Sequence, residues 1–312
     1  MPADSTTWLL EATNPSIRYR ALLDLRPSGT GDDEISQAYS DVINSSDVAR
    51  VLGKRRADGL WDESDFGVHT SLRYLTALAE LGMRRDSRLD AAIDHAVRFL
   101  ETKAAAAGTQ RYDGCSAPLL LRAIVMLGYA DWPGVRELTE SHMRTQLTDG
   151  GYICKRLLDQ RADRKSCYRA CVSTLLLCAA CRRAGWDLPG AERLVDYFLA
   201  RDVFYCSSDR ARLVVDGRPG WRYVDNFFPV ESMRVGLPLI VAALSVLGAG
   251  HEKALGAGWD TLASKTTGGG RLVLEGTLTK QPCSFGKVGQ ENKWLTYYAR
   301  IAEQARESSG GA

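Results

Sequence analysis

No apolar run in this chain reaches the roughly 18–20 residues that a helix needs to cross a bilayer. The nearest, 235–247, is broken by Gly236 and Pro238. The opening Met1-Pro2-Ala3-Asp4 has no basic stretch followed by an apolar one, so no secretory signal is expected. An excess of one charge is also missing: 40 Lys+Arg against 38 Asp+Glu leave a formal net charge of +2. A nucleic-acid surface needs a clustered basic excess, and Lys54-Arg55-Arg56 and Arg84-Arg85 are too short to supply one. These absences point to a cytoplasmic chain with no transmembrane segment and no nucleic-acid partner. Cytoplasmic thiols stay reduced, so the eight cysteines are not expected to form a disulfide framework.

What is present is a repeat. A Gly-rich turn leads through a polar loop into an apolar helix that ends near Gly, and a second helix follows. The first copy is Asp58-Gly59-Leu60-Trp61, then 69–82, then a helix over 87–102. The second is Asp113-Gly114-Cys115 with helices over 117–128 and 135–146, and the third is Asp149-Gly150-Gly151-Tyr152 with helices over 167–185 and 190–201. The fourth opens at Gly220-Trp221-Arg222-Tyr223, with helices over 231–248 and 253–265. The fifth opens at Gly268-Gly269-Gly270-Arg271 and closes with 292–306. Upstream, Asn14-Pro15-Ser16 reads as a helix start with Pro near the first position, and 46–54 reads as a further helix.

The first helix of each pair is apolar on nearly every side, as in 119–127, so it must be buried on most faces. The second is amphipathic, with Leu89, Ile93, Val97 and Leu100 on one stripe. An inner ring of buried helices within an outer ring of amphipathic ones satisfies both patterns. A linear solenoid also uses paired helices, but inner helices so uniformly apolar favour closure. The expected fold is all-α: one domain, 1–312, an α/α toroid of five to six helical hairpins. Segment 1–50 would complete the ring, and 307–312 would be a disordered tail.

Gln146-Leu147-Thr148-Asp149-Gly150-Gly151-Tyr152 resembles the recurrent Q-x-x-D-G-G-[FY] turn of protein prenyltransferase β-type repeats and the QW motif of squalene–hopene-type cyclases. Asp58-Gly59-Leu60-Trp61 is a second copy without the Gln. The resemblance is thus to the terpenoid cyclase and protein prenyltransferase superfamily of α/α toroids. Physically the motif reads as structural, with Gly supplying positive φ, Asp capping and the aromatic plugging between layers. The chain also resembles a group of bacterial proteins of about this length, through 8–19, the Cys-bearing third repeat and Lys293-Trp294-Leu295-Thr296. That group brings no activity with it. The D-x-D-D of hopene-type cyclases is absent, and so is a D-D-x-x-D for magnesium-bound diphosphate; Asp32-Asp33-Glu34 reads as part of a polar linker.

In a closed ring the inner helices start at one mouth, where their amides favour anions and lower thiol pKa values. The residues at those starts are His69, Cys115, Cys167 and Cys171, then Asp225, Asn226 and Glu231, then Glu291, Asn292, Lys293 and Trp294. His69, Cys115, Cys167 and Cys171 form a possible soft-metal set for zinc, with Cys167 and Cys171 one turn apart. The resemblance to prenyltransferases, which hold zinc with Asp, Cys and His at the toroid mouth, points the same way. The spacing of Asp163 to Cys167 nevertheless differs from their D-x-C. Cys115, Cys171 and Glu231 are the catalytic candidates, and Arg73, Arg169, Trp61, Tyr223, Lys293 and Trp294 the substrate contacts. The cysteines also suit plain packing as small hydrophobes, as Cys178 and Cys181 are expected to do. The basic loop over 155–165 either binds a diphosphate or carboxylate or is simply solvated. Trp61, Tyr152, Trp221, Tyr223, Phe227, Phe228 and Trp294 line a cavity or plug the layers. His95, His142 and His251 are expected on the surface.

Three functions remain open from the residues. One is an enzyme of small-molecule or isoprenoid-like metabolism, with or without zinc, acting on a prenyl-like ligand. Another is a non-catalytic toroid that binds a peptide or apolar ligand. The third is a metal-free, cysteine-dependent transferase.

Overall fold

The computed structural model describes residues 4–61, 70–107, 115–153, 166–205, 236–276 and 282–309. Among these residues there are thirteen α-helices and no strand, only isolated bridges such as Arg55 with Trp61 and Thr266 with Leu272. No helix among them is long and apolar enough to cross a membrane.

The chain divides into two compact units. The first comprises Met1–Lys54, Ala77–Met83 and Trp221–Ala312. It holds α1 (Asp4–Leu9), α2 (Pro15–Asp24), α3 (Asp32–Ile43), α4 (Ser46–Leu52) and the last turn of α5 (Thr70–Glu80). The second comprises Arg55–Thr76 and Arg84–Gly220, with α6 (Ser87–Ala107), α7 (Ser116–Met126), α8 (Val135–Met143), α9 (Tyr168–Arg183) and α10 (Ala191–Leu199). The first unit resumes with α11 (Leu237–Leu244), α12 (Gly256–Lys265) and α13 (Lys293–Ser309). Thus α13 runs three residues into the segment expected as a tail.

Local rules explain most boundaries. Asn14 caps α2 by accepting from Ile17 N–H at 3.0 Å, with Pro15 in the first turn. Asp32, Asp33 and Glu34 are a correction to the linker reading. They form the first turn of α3, where carboxylates meet the positive helix end. Helices α5, α7 and α9 stop on glycine in the left-handed region, Gly82 (φ +88°), Gly128 (+84°) and Gly185 (+75°). In each case the next amide reaches back to the helix: Met83 to Leu78, Tyr129 to Ile124 and Trp186 to Cys181, at 2.9–3.1 Å. That is the Schellman arrangement, which satisfies carbonyls the helix leaves open.

In the second unit α7 and α9 pack along each other, with α8 against α7 and α10 against α9. Nearly every residue of α7 is buried, from Ser116 to Val125, as expected of an inner helix. In the first unit α11 is buried throughout and packs along α13. Beyond α11, Gly250 lies against Arg306 near the end of α13, and His251 Nε2 is 2.8 Å from the Arg306 carbonyl. Two helices packed along their lengths whose C-terminal ends coincide run in the same direction.

The first unit is pinned by a buried ion pair, Arg20 (5% exposed) with Glu80 (0%), at 2.7 Å. The Tyr298 hydroxyl accepts from Arg20 at 3.2 Å and donates to Glu80 at 2.6 Å, and Tyr297 donates to Asp24. The guanidinium also lies 4.6 Å from the Tyr297 ring centre. Removing one member leaves a buried charge without its counterpart. Arg20→Ala should therefore destabilise the chain by about 3–5 kcal/mol in urea unfolding. Arg20→Met together with Glu80→Leu should cost clearly less.

Candidate functional site

Three turns repeat atom for atom in their backbone bonding. Around Arg56, Leu147 and Thr267, the first amide donates to the carbonyl four residues on, at 2.7–2.9 Å. The amide three residues on donates back to the first carbonyl, at 2.9–3.0 Å. That third residue is Gly59, Gly150 or Gly270, with φ of +80°, +83° and +73°. Asp58 and Asp149 accept from the following amides of Leu60 and Gly151, at 3.0 and 3.1 Å. The third turn has Gly269 in the Asp position, and the Thr267 hydroxyl takes over by accepting from Arg271 N–H at 3.3 Å. Each turn ends on a buried side chain, Trp61, Tyr152 or Leu272. The structural reading of the D-G-G-Y motif thus has a geometric basis.

The turn at 147–152 is the most heavily tied. Gln146 Nε2 donates to the carbonyls of Gly150 (2.8 Å) and Gly190 (2.9 Å), joining the turn to the start of α10. Asp149 accepts from the Ser166 hydroxyl at 2.5 Å and pairs with Arg201 at 3.4 Å. Arg193 donates to the Leu147 carbonyl at 3.0 Å. Tyr152 is fully buried and stacks on His142, ring centres 5.0 Å apart.

Cys115 and Cys167 occupy equivalent places. Each is the N-cap of a largely buried helix, α7 and α9, and neither side chain makes a capping bond. Cys115 is buried and Cys167 partly exposed. The Cys167 amide donates to the Tyr152 carbonyl at 2.7 Å. One turn on, Cys171 is fully buried, and its Sγ accepts from Tyr152 N–H at 3.2 Å. Burial pushes the Cys171 thiol up to about 12, and Cys181 and Cys283 to about 12 as well. Cys178 is raised further for the same reason.

Trp61 is buried and stacked on Tyr74, ring centres 4.9 Å apart. Arg73 on α5 is partly buried and Arg169 on α9 is exposed. Lys293 and Trp294 belong to the first unit, whereas Cys115, Cys167, Cys171, Trp61, Arg73 and Arg169 belong to the second. Lys293 Nζ is engaged: it donates to the Trp8 carbonyl (2.6 Å), Glu11 (3.0 Å) and Thr13 (3.3 Å). That hydrogen bond holds the Glu11 carboxyl below its ordinary range. Trp294 is buried edge-on against Phe285, and Asn292 caps α13 by accepting from Leu295 N–H at 3.0 Å. His69, Glu231 and Tyr223 lie outside the described residues, as do Asp163, Asp225, Asn226, Trp221, Phe227, Phe228 and the loop over 155–165. Among the described residues, no three His, Cys, Asp or Glu side chains are grouped to hold a metal ion.

His142 is not on the surface; it is 2% exposed. Its Nε2 is 2.8 Å from the Thr174 hydroxyl, which itself donates to the Ala170 carbonyl. The signal was its place on the stripe Val135, Leu138, Thr139, His142 and Met143. Arg122 is 4% exposed in the middle of α7. A lone cation inside an apolar run was the mark to notice, because a charge is buried only with compensation. In comparisons with known proteins, no family model, no curated protein and no solved structure matches this chain.

The raised thiols carry a pH signature. Their folded values lie above the unfolded value near 9, so their contribution to stability is complete below pH 9 and is lost as the pH climbs towards 12. The unfolding midpoint should hold from pH 7 to 8.5 and fall above pH 9. At pH 8, iodoacetamide should leave Cys171, Cys178, Cys181 and Cys283 unlabelled in the native chain, as read by peptide mapping. A separate check concerns the turn. Gly150→Ala needs a strained φ and puts a methyl group against the Arg193 carbonyl, so it should cost about 1–3 kcal/mol in urea unfolding.

Proposed function

We propose that the chain is an enzyme of small-molecule or isoprenoid-like metabolism, with its hairpins closed into an α/α toroid and its chemistry carried by thiols where inner helices begin. The observation that carries this reading is the pair of N-caps. Ser, Asp or Asn at an N-cap contributes about 1 kcal/mol over a residue that cannot cap, and a thiol is a weak acceptor. Two packed inner helices, α7 and α9, both place cysteine there and make no cap bond. A thiol at a helix start has another use, because the helix amides stabilise its thiolate.

Support for the ring comes from the thrice-repeated turn and from the shared direction of α11 and α13. Closure would gather the starts of α7 and α9 at one mouth. Arg73, Arg169 and the buried Arg122 bring guanidinium groups to the helices of the same unit, suited to a diphosphate or carboxylate on an apolar substrate. The thiols of Cys115 and Cys167 can act as nucleophile or as ligands. In a zinc-assisted version, His69, Cys115 and Cys167 would hold the ion, and the metal would polarise or activate a bound oxygen or sulfur. Cys171 is left out of that set because its sulfur serves the Tyr152 amide.

The test uses full-length chain purified without a histidine tag. Zinc retained through dialysis, and lost in both Cys115→Ser and Cys167→Ser, supports the metal-assisted version. No zinc, with Cys167 alkylated at neutral pH faster than free glutathione, supports the metal-free transferase. No zinc and a Cys167 slower than glutathione would overturn the catalytic reading in favour of a binding toroid.

A further inference from the structure

We infer that Cys167 and Cys171 form a hydroperoxide-sensitive pair that holds or releases the Tyr152 turn. This rests on the reading of Cys167 as the reactive thiol and adds a mode of regulation to the same helix start.

Both cysteines grip one residue. The Cys167 amide holds the Tyr152 carbonyl at 2.7 Å, and Cys171 Sγ satisfies the Tyr152 amide at 3.2 Å. A hydroxyl would hold a buried backbone N–H more strongly than sulfur does. The chain thus uses its weaker, oxidisable acceptor at the point where the turn is fastened. The two thiols also differ in access: Cys167 is partly exposed at the helix end, and Cys171 is buried one turn inside. Cys178 and Cys181, further along α9, make no bond to the turn among the described contacts.

The chemistry balances in two steps. The Cys167 thiolate attacks a hydroperoxide; the S–O bond forms, the O–O bond breaks, and the peroxide is reduced to hydroxide or alcohol as Cys167 becomes a sulfenic acid. Cys171 then attacks the Cys167 sulfur. The S–S bond forms, the S–O bond breaks, and the hydroxyl leaves as water with the Cys171 proton. Residues four apart on a helix have Cβ atoms about 5–6 Å apart, whereas a disulfide needs about 3.5–4.5 Å. The bond therefore closes only if the start of α9 shifts. Cys167, at the N-cap with extended backbone (φ −95°, ψ 117°), is the end that can move without breaking the helix interior. The shift withdraws both grips on Tyr152 and frees the plug stacked on His142.

The experiment treats reduced full-length chain with hydrogen peroxide, blocks remaining thiols and digests with trypsin. Cleavage after Arg169 separates Cys167 from Cys171, so their link appears as peptides 166–169 and 170–182 joined and two hydrogens lighter. The expected result is that joined pair, its replacement in Cys171→Ser by a dimedone adduct on Cys167, and severalfold faster amide exchange over 147–152 after oxidation. A Cys167 that alkylates readily yet gives no link to Cys171, or links to Cys154 instead, overturns this inference alone. Unchanged exchange over 147–152 in the linked protein overturns the release. A Cys167 inert to both reagents in zinc-free chain overturns the pair together with the catalytic reading beneath it.

Discussion

Helices α7 and α11 are buried along nearly their whole length and α9 is buried from Ala170 to Ala179, so water must be excluded from most of their faces. An amphipathic helix can be shielded on one side; these cannot. The rest of the chain is arranged around that demand. The helices that follow them, α8, α10 and α12, each pack against the buried partner that precedes them. The connections must then be short and must stop each buried helix on the correct residue. Glycine in the left-handed region does this at 82, 128 and 185, closing the helix while satisfying its last carbonyls.

The Gly-rich turns answer the same demand at the other end of the hairpin. Their backbone bonding is the same in three copies although their side chains differ. The Asp that caps two of them is replaced in the third by the Thr267 hydroxyl acting from a different position. What is kept is the satisfaction of one amide, together with a large buried side chain at the end of the turn. Around 147–152 this grows into a lattice in which Gln146, Asp149, Arg193 and Cys171 each hold backbone or side chain of neighbouring elements. A segment so thoroughly tied is a scaffold for the helix start beside it.

Environment divides the cysteines more sharply than their spacing does. Cys171, Cys178, Cys181 and Cys283 are buried and kept protonated by desolvation. Cys115, also buried, and the partly exposed Cys167 stand at helix starts. The charged residues divide in a similar way. Lys293 spends its charge on Glu11 and the Trp8 carbonyl, fastening α13 to the N-terminal segment, and Arg20 spends its charge on Glu80.

By itself the sequence determined the helical class, the hairpin repeat and most helix limits. Those follow from local physics: period, capping residues, and glycine where φ must be positive. The N-cap at Asn14, the C-terminal glycines and the turn at 147–152 are all legible in the residues themselves. The helix over 32–43 was legible there too, since Ile35, Ala38, Tyr39 and Val42 fall at i, i+3, i+4 and i+7 on one face. The stripe on α8 turns His142 inward, but the stack and the hydroxyl that hold its ring come from distant positions, Tyr152 and Thr174, which only the fold brings to it. The different fates of Cys167 and Cys171, four residues apart, were likewise decided only in three dimensions. Burial, hydrogen-bond partner and electrostatic surroundings are properties of what folds alongside a residue, and the partner that sets Cys171 apart lies 19 positions away in the chain.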